Sequence, residues 1–274
     1  MRKGKTMKLT DKVIVVTGGG NGIGREVVLA LLSRGARVAA VDLRPEGLAE
    51  TSALASAGER LTTHEVDVTS VEAVAALARE VIDAHGHVDG LVNVAGIIQP
   101  FVPFRDLGRT QIEKVMAVNF WGVVATCQEF LPLLLARPEA ALVNVSSMGA
   151  FVPVPGQTIY GASKAAVKLL TEGLYAELKD TGVRVTAVYP GGVATHITEN
   201  SGVQMPGNPD LADSKAATSM TSPQDAAEQL VVGMEKGSYR VVIGKDARMV
   251  DRLSRLAPQR ATDLIAAKMK ALLG

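Results

Sequence analysis

Short, almost continuously apolar segments alternate with helical patterns along most of the chain. Runs rich in Val, Ile and Ala, bounded by Gly, Asp, Ser or Pro, are typical of buried strands. The predicted strands lie within residues 12–18, 37–43, 57–69, 88–96, 140–147, 183–191 and 239–244. Helical patterns fill residues 25–35, 70–86, 110–136 and 158–180. In the second of these, Ser70 precedes apolar residues at Val71, Val74, Leu77 and Val81, so an N-cap and one buried stripe are predicted.

This alternation predicts the fold class. Strands that alternate with helices of this length form a parallel sheet with helices on both faces, and continuously apolar strands are expected where both faces are covered. We predict a doubly wound three-layer α/β sandwich with about seven parallel strands. A single domain is expected over residues 7–246 and a helical tail over 247–274. Residues 194–222 are rich in Ser, Gly, Pro, Asn and Thr, and we expect a substrate lid there.

Composition narrows the function classes. The 274 residues are 47% hydrophobic and 21% charged, with a formal net charge of +1, so no strong field favours nucleic acid or an anionic membrane. The single cysteine, Cys127, excludes a disulfide within the chain. The four histidines show no spacing with cysteines or acids that predicts a metal site. With no apolar run of the ~18 residues that a membrane span needs, a cytoplasmic location is expected.

A glycine-rich turn, TGGGNGIG at residues 17–24, joins the first strand to the first helix. Gly18, Gly22 and Gly24, with Asn21 and Ile23 between them, allow a tight turn, close approach of a pyrophosphate, and packing of the helix on the strand. Phosphates would lie at the helix N-terminus, where free N–H groups and the helix dipole favour negative charge. The turn predicts a dinucleotide site on a Rossmann-type sheet.

An acid at the end of the second predicted strand indicates which dinucleotide is bound. Asp42, followed by Leu43, can accept hydrogen bonds from both ribose hydroxyls of an adenosine and would repel a 2′-phosphate. NAD is therefore expected and NADP is disfavoured, although Arg44 is positioned to soften the discrimination. Asp67 is placed to reach the adenine amino group and Val68 to pack on the ring, although Asp67 is also a good turn residue.

A serine, a tyrosine and a lysine suggest proton-transfer chemistry. Tyr160 and Lys164 are four residues apart on a predicted helix, so they project from one face. A nearby ammonium stabilises a phenolate, and a fall of ~3 units in the tyrosine pKa corresponds to ~4 kcal/mol. Ser147, at the end of the fifth predicted strand, would hold the substrate oxygen while Tyr160 acts as general acid/base.

Taken together, these motifs resemble the short-chain dehydrogenase/reductase family, in its compact single-domain branch. The matches, in family order, are TGGGNGIG, NVAG at 93–96, Asn119 in MAVNFWG, VSS ending at Ser147, YGASK at 160–164 and PGGVAT at 190–195. They cover roughly residues 8–244. One departure is NVAG where NNAG is commoner.

The resemblance implies an NAD(P)-dependent oxidoreductase that moves a hydride between nicotinamide and a ketone or secondary alcohol. Tyr160 resembles the acid/base. Lys164 would lower its pKa and hydrogen-bond the nicotinamide ribose, and both residues are expected to contact the cofactor. Asn119 would hold a water that links Lys164 to solvent. The other cofactor contacts implied are Asn93, Ala95 and Gly96 along the adenosine and ribose, and Pro190, Gly191, Val193 and Thr195 at the nicotinamide half.

The residues after the fourth and fifth predicted strands, with the lid, suggest the substrate. They are mostly apolar: Ile98, Phe101, Val102, Phe104, Met148, Phe151, Val152, Val154 and Met205. A medium-sized hydrophobic ketone or alcohol is expected. His196, at the start of the lid, is a further possible substrate contact. Similar proteins pair their two long helices, so a homo-oligomer, a dimer or a tetramer with the tetramer favoured, is expected. A membrane contact through the tail is a less favoured alternative.

Two other functions stay open. A dinucleotide-binding regulator or sensor would use the same fold without turnover, although it would have no use for a tuned phenol. An epimerase or dehydratase of the family's extended branch would resemble G-x-x-G-x-x-G in its glycine turn and need a larger substrate domain, neither of which this chain has.

Overall fold

The computed structural model describes residues 6–195, 197–203 and 220–273, with side chains up to residue 269. Its seven strands form one all-parallel sheet in the order β3-β2-β1-β4-β5-β6-β7. The strands are β1 (Val13–Thr17), β2 (Arg37–Asp42), β3 (Leu61–Glu65), β4 (Gly90–Asn93), β5 (Ala140–Val145), β6 (Val183–Pro190) and β7 (Arg240–Ile243). The predicted doubly wound α/β fold is confirmed.

Helices cover both faces of the sheet. The helices are α1 (Gly22–Ser33), α2 (Pro45–Ala55), α3 (Val71–His85), α4 (Arg109–Met116), α5 (Gly122–Leu135), α6 (Thr158–Leu178), α7 (Ile197–Asn200), α8 (Pro223–Lys236), α9 (Lys245–Leu256) and α10 (Pro258–Leu273). Short 3₁₀ turns occupy Gly58–Arg60, Phe104–Asp106 and Met148–Ala150. One core cluster joins α1 and α8 to the sheet, and a second joins α3, α5 and α6 to the opposite face.

Three helices, α2, α8 and the four-residue α7 within the expected lid, were not among the predicted elements. α2 buries only Leu48 and Thr51, so its sequence carries little helical periodicity. α8 has clear signals at both ends, because the Ser222 side chain accepts a hydrogen bond from Asp225 N, Pro223 follows it, and Gly237 closes the helix in the left-handed conformation. These start and stop signals are present in the sequence, but they directly follow the polar segment that was predicted as a lid.

The long helix predicted over 110–136 is interrupted. A π-helical turn, Ala117–Trp121, separates α4 from α5 and contains Asn119. Such turns interrupt the regular hydrogen-bond ladder and often occur at functional sites. The combined segment Arg109–Leu135 is long and apolar enough to cross a membrane by length and composition alone. Its Phe130 and Leu134 are fully buried against the sheet, which is the packing of a core helix.

The C-terminal helices pack on the body of the domain. Val250 of α9 and Ala261 of α10 form a small buried cluster with Val152, from the loop that follows β5. The described part of the tail predicted over 247–274 is thus mostly helical and shares a core with residues expected to line the substrate pocket. Most of the expected lid, with His196 and Met205, lies outside the described residues.

Candidate active site

The predicted site residues gather at one edge of the sheet. β1, β2, β4, β5 and β6 end at residues 17, 42, 93, 145 and 190, and parallel strands end at a common edge. β1 lies between β2 and β4, so the connections leave it in opposite directions, which is where open α/β sheets bind ligands.

The glycine-rich turn has the shape that a pyrophosphate requires. Gly18 has φ +72°, and a Cβ there would lie 2.9 Å from Ala95 N. Gly22 has φ +51°, also in the left-handed region. A Cβ on Gly24 would overlap the carbonyl oxygen of Gly18, so only glycine lets α1 pack on the turn. Because the N-cap residue Asn21 makes no side-chain cap, N–H groups of the first turn of α1 have no local side-chain acceptor.

Two residues from the far side of the site reach this turn. Asn200 Nδ2 of α7 donates a 2.6 Å hydrogen bond to Asn21 Oδ1, and a Cβ on Gly22 would lie 3.3 Å from Thr195 Cγ2. A common space is therefore faced by Asn21, Gly22 and Thr195. Ile23 instead packs α1 against the core beneath the turn.

Asp42 stands at the end of β2 beside the turn. Its Oδ2 accepts from Gly20 N at 3.0 Å and its Oδ1 accepts from Arg44 N at 3.1 Å. Each carboxylate oxygen keeps a second lone pair, so the group can still accept from two hydroxyls. Leu43 is 60% exposed and Arg44 is also exposed. The residues at the end of β2 have the chemistry to hold an adenosine ribose.

Asp67 and Val68 have structural partners here. Asp67 Oδ1 accepts from both the backbone N and the side-chain Oγ1 of Thr69, at 2.9 and 2.7 Å, which is the turn role named above. Val68 is only 8% exposed, and its Cγ2 would lie 2.8 Å from a Cβ on Gly122 of α5. Most of the Val68 surface is thus already packed on α5, and contacts of Asp67 and Val68 with an adenine stay predictions.

Asn93 turns away from the crevice. Its Nδ2 donates to Asn144 Oδ1 at 2.9 Å, and its Oδ1 accepts from Thr126 Oγ1 at 2.9 Å, all within the buried layer beneath the site. Both polar ends of the Asn93 amide are therefore engaged, and the expectation that Asn93 lies along the adenosine and ribose stays a prediction. Only its backbone is left for a ligand. Ala95 N instead donates to Thr17 Oγ1 at 3.3 Å and lies over Gly18.

Ser147 and Tyr160 converge above Gly149. A Cβ on Gly149 would lie 3.5 Å from Ser147 Oγ and 3.7 Å from Tyr160 Cε1. Burial raises the pKa of the Tyr160 hydroxyl above its ordinary value, and a hydrogen bond with the Ser147 hydroxyl acts in the opposite direction. Ser146, the other hydroxyl at this strand end, donates to the carbonyl oxygen of Lys164 at 2.7 Å and ties α6 to β5.

Lys164 lies one turn further along α6 and is only 4% exposed. Its Nζ donates to the carbonyl oxygen of Val145 at 3.1 Å and would lie 3.1 Å from a Cβ on Gly96. Burial lowers the pKa of Lys164 to about 8. Burial is the largest cause at both groups and raises the pKa of Tyr160, and the lowering of that pKa expected from Lys164 stays a prediction.

Asn119, in the π-helical turn, is fully buried between two parts of the site. Its Oδ1 accepts from Ile97 N at 2.8 Å, and its Nδ2 donates to Ile97 O at 2.9 Å and to Ser163 Oγ at 3.0 Å. Ser163 Oγ in turn donates to the carbonyl oxygen of Tyr160 at 2.7 Å. Asn119 thus links the segment after β4 to the turn of α6 that carries Tyr160, and its expected water relay stays a prediction.

The loop after β6 is held by residues that the motifs did not include. Gly191 N continues the ladder to Ile243 O at 2.9 Å, next to the buried end of β6 at Pro190. Gly192 N donates to Asp246 Oδ2 at 2.7 Å, and a Cβ on Gly191 would overlap that carboxylate. Thr221 pairs with Val193 and brackets the loop from its other side. Asp246, in the first turn of α9, thereby fixes the backbone that leads to Thr195.

The apolar residues expected around the substrate differ in burial: some are buried in the wall of the site, and others keep an exposed surface. Val152 is 3% exposed within the cluster shared with α9 and α10, so it supports the wall and does not line it. The Phe151 ring packs 4.6 Å from that of Tyr189, below the Arg240 guanidinium. Phe101 lies against Gly156, Phe104 is exposed, and the others are half-buried or buried: Ile98, Val102, Met148 and Val154.

The comparisons with known proteins fit this site. A family model described as short chain dehydrogenase matches residues 12–205. The chain belongs to the short-chain dehydrogenase/reductase family. This short-chain dehydrogenase is 38% identical over 267 residues to the putative oxidoreductase SadH of Mycobacterium tuberculosis, which covers 93% of this chain and 94% of the relative.

Two solved structures are also similar to this short-chain dehydrogenase. A family member from Burkholderia phymatum in complex with NAD has TM-score 0.81 and 25% identity, over 93% of this chain and 97% of that one. A short-chain dehydrogenase from Burkholderia cenocepacia in complex with NADP has TM-score 0.78 and 29% identity, over 94% and 99%. The family makes this chain an oxidoreductase and supports a nicotinamide cofactor. These two neighbours differ in which cofactor they hold.

Proposed function

We propose that this short-chain dehydrogenase interconverts a ketone and a secondary alcohol, with Tyr160 as the acid/base. The observation that carries the proposal is the convergence of Tyr160 and Ser147 over Gly149, one helical turn from the buried Lys164 beside Gly96. A nicotinamide, when bound, supplies or accepts the hydride. The glycine cradle at residues 18–24 fits the pyrophosphate of such a cofactor.

Each side chain has a defined task in this proposal. Ser147 Oγ holds the substrate oxygen. Tyr160, whose pKa burial raises, is a neutral phenol at neutral pH and donates its proton to that oxygen during reduction. Lys164 brings a positive charge next to Gly96 and the proton path, since its pKa of about 8 leaves most of it protonated at pH 7. Substrate oxidation reverses the proton transfer and requires the phenolate that a nearby ammonium favours.

We propose NAD as the preferred cofactor because of Asp42. Its carboxylate lies at the end of β2, pinned between Gly20 N and Arg44 N, where two ribose hydroxyls would be its remaining donors. A 2′-phosphate at that place would meet the carboxylate at close range, where like charges repel by a few kcal/mol if solvent is excluded. Arg25, the other nearby cation, is engaged with Gly20 O and Glu50.

Replacing Asp42 by Ala is expected to lower the ratio of kcat/KM for NAD to kcat/KM for NADP by about tenfold or more, because the repulsion and two acceptors are lost. Steady-state kinetics with both cofactors measures the ratio. Glu65→Ala is the matched control, since Glu65 is exposed and adjoins Asp42 in the register of β2 and β3. An unchanged ratio in Asp42→Ala would contradict the assignment.

We propose that the substrate is a medium-sized hydrophobic ketone or alcohol. Phe101, Val102, Met148 and Val154 remain partly exposed around the site, whereas the nearby Arg105 pairs with Asp106 on the surface. Apolar side chains around one hydroxyl-binding serine suit a ligand with a single polar group. Turnover confined to polyols or sugar acids would contradict this substrate class.

We propose that the chain forms a homo-oligomer through α5 and α6. Large apolar side chains are exposed on these helices: Trp121 just before α5, Leu135, Leu169 and Tyr175. Leu169→Glu is expected to reduce the sedimentation coefficient at micromolar concentration, because a charge in an apolar interface is costly. Leu54→Glu is the control, because Leu54 is similarly exposed on α2. A monomeric wild-type protein would contradict the proposal.

A further inference from the structure

The helix that carries Tyr160 begins without a cap of its own. The first N–H groups of a helix lack intrahelical partners and are usually satisfied by an N-cap side chain, which accepts from the second or third residue. The N-cap residue of α6 is Gln157, and its side chain accepts from neither. The second and third residues of α6 are Ile159 and Tyr160, so the uncapped N–H groups include that of Tyr160 itself.

Gln99, some sixty residues earlier in the chain, supplies the missing acceptor. Its Oε1 accepts from Ile159 N at 2.7 Å and from Tyr160 N at 3.1 Å. Its Nε2 donates to Gly156 O at 3.0 Å, so the partners fix which end of the amide faces the helix. The side chain is completely buried, and water therefore does not compete for these bonds.

The backbone that carries Gln99 is held from its other side. Gln99 O accepts from Gln157 Nε2 at 2.6 Å, which locks the loop before α6 onto the same residue. Two residues earlier, Ile97 N donates to Asn119 Oδ1, and Ile97 O accepts from Asn119 Nδ2. The segment from Gly96 to Gln99 thus contacts Lys164 Nζ at one end and the N-terminus of α6, next to Tyr160, at the other.

We propose that Gln99 is a positioning residue that caps the catalytic helix from a separate segment and thereby fixes the Tyr160 hydroxyl relative to the cofactor side of the site. The inference rests on the proposed role of Tyr160. A buried cap ties the first turn of α6 to the β4 loop, which lies over the glycine cradle. Small displacements of a reacting group reduce rates strongly, so the cap acts on turnover more than on binding.

Two substitutions and a control test this role in the full-length protein. Gln99→Met keeps the length of the side chain and removes both polar groups. Gln99→Glu keeps an oxygen of the same reach for the two N–H groups, and the helix N-terminus favours it. Gln111→Met is the control: Gln111 Oε1 accepts from Gly108 N at the start of α4, which carries no proposed site residue.

For Gln99→Met we expect amide exchange at Ile159 and Tyr160 to rise about tenfold or more, since both N–H groups lose a buried acceptor. We expect kcat to fall roughly 10- to 100-fold, with the KM for NAD within about twofold. Gln99→Glu should recover the exchange protection and part of kcat, and Gln111→Met should leave both unchanged. Hydrogen exchange with mass spectrometry and steady-state kinetics give the two readouts.

Unchanged exchange in Gln99→Met would overturn the cap, and a kcat within twofold of wild type in the folded variant would overturn the positioning role. Recovery of protection in Gln99→Glu without any recovery of kcat would likewise contradict it. Failure of the proposed function has a different signature, full activity of Tyr160→Phe, and exchange in the free protein reports on the cap independently of that result.

Discussion

Tyr160→Phe is expected to lower kcat by about 10²–10⁴-fold, because it removes only the hydroxyl that exchanges a proton with the substrate oxygen. The ring remains, so the packing of α6 on the loop at Gly149 is retained. The affinity for NAD(H), measured by fluorescence titration, should stay within about twofold, since the glycine cradle and Asp42 are untouched. Steady-state turnover of an apolar ketone with NADH measures kcat.

Tyr175→Phe is the matched control for this variant. Tyr175 lies on the same helix, is 40% exposed and packs edge to face on Tyr239, with ring centroids 4.6 Å apart, away from the site. It should retain wild-type turnover. Full activity in Tyr160→Phe would remove the proposed acid/base. A wild-type protein that binds NAD(H) but turns over no carbonyl or alcohol substrate would favour the regulator or sensor that the sequence left open.

The motifs that sequence could predict are those built from local chain geometry. The glycine turn requires left-handed φ at Gly18 and Gly22, and a tyrosine four residues before a lysine shares a helix face with it wherever the helix lies. Asp42 follows from the end of a strand next to that turn. Each of these depends on neighbours within one or two elements, so the pattern of residues determines the placement.

The contacts that sequence could not predict join distant segments. The amide of Asn93 bonds to Asn144 and Thr126 from the adjoining strand and helix, which the motif does not indicate. Gln99 and Asp246 belong to no motif, and each acts on a backbone N–H far away in sequence, at Tyr160 and Gly192. A strand pattern predicts where each strand begins and ends, but it does not predict which polar side chain will hydrogen-bond to which distant group.

The upward shift of the Tyr160 pKa has the same origin. The sequence placed an ammonium near a phenol and predicted attraction between the charged forms. The structure adds burial of both groups, and desolvation disfavours each charged form, which raises the tyrosine pKa and lowers the lysine pKa. Spacing along a helix carries no information on depth below the surface, so the sign of the net shift could not be read from it.

Lys164→Met is expected to abolish most activity and, at the same time, to stabilise the free protein. Lys164 is buried with its Nζ on a single backbone carbonyl, and burial lowers its pKa to about 8. The shift from the ordinary value of 10.5 to about 8 corresponds to about 3 kcal/mol of unfavourable free energy for the charged form. Because the substitution also leaves Val145 O without this donor, a net gain of about 1–3 kcal/mol in unfolding free energy is expected at pH 7.

The pH dependence of this gain distinguishes a buried charge from better packing. A lysine whose pKa is lowered on folding destabilises the protein fully below the folded pKa, near 8, and the penalty is relieved as the pH rises toward the unfolded value. The charge penalty, and with it the gain measured by urea unfolding, should therefore fall by about 2 kcal/mol between pH 7 and pH 9.5. Lys179→Met, at an exposed lysine at the end of the same helix, should change stability by less than about 0.5 kcal/mol at either pH.

A gain independent of pH would attribute the effect to packing, and a loss of stability at pH 7 would show that the ammonium is compensated in the free protein. Stabilisation with loss of activity would instead mean that the fold tolerates an unfavourable buried cation for the sake of the reaction.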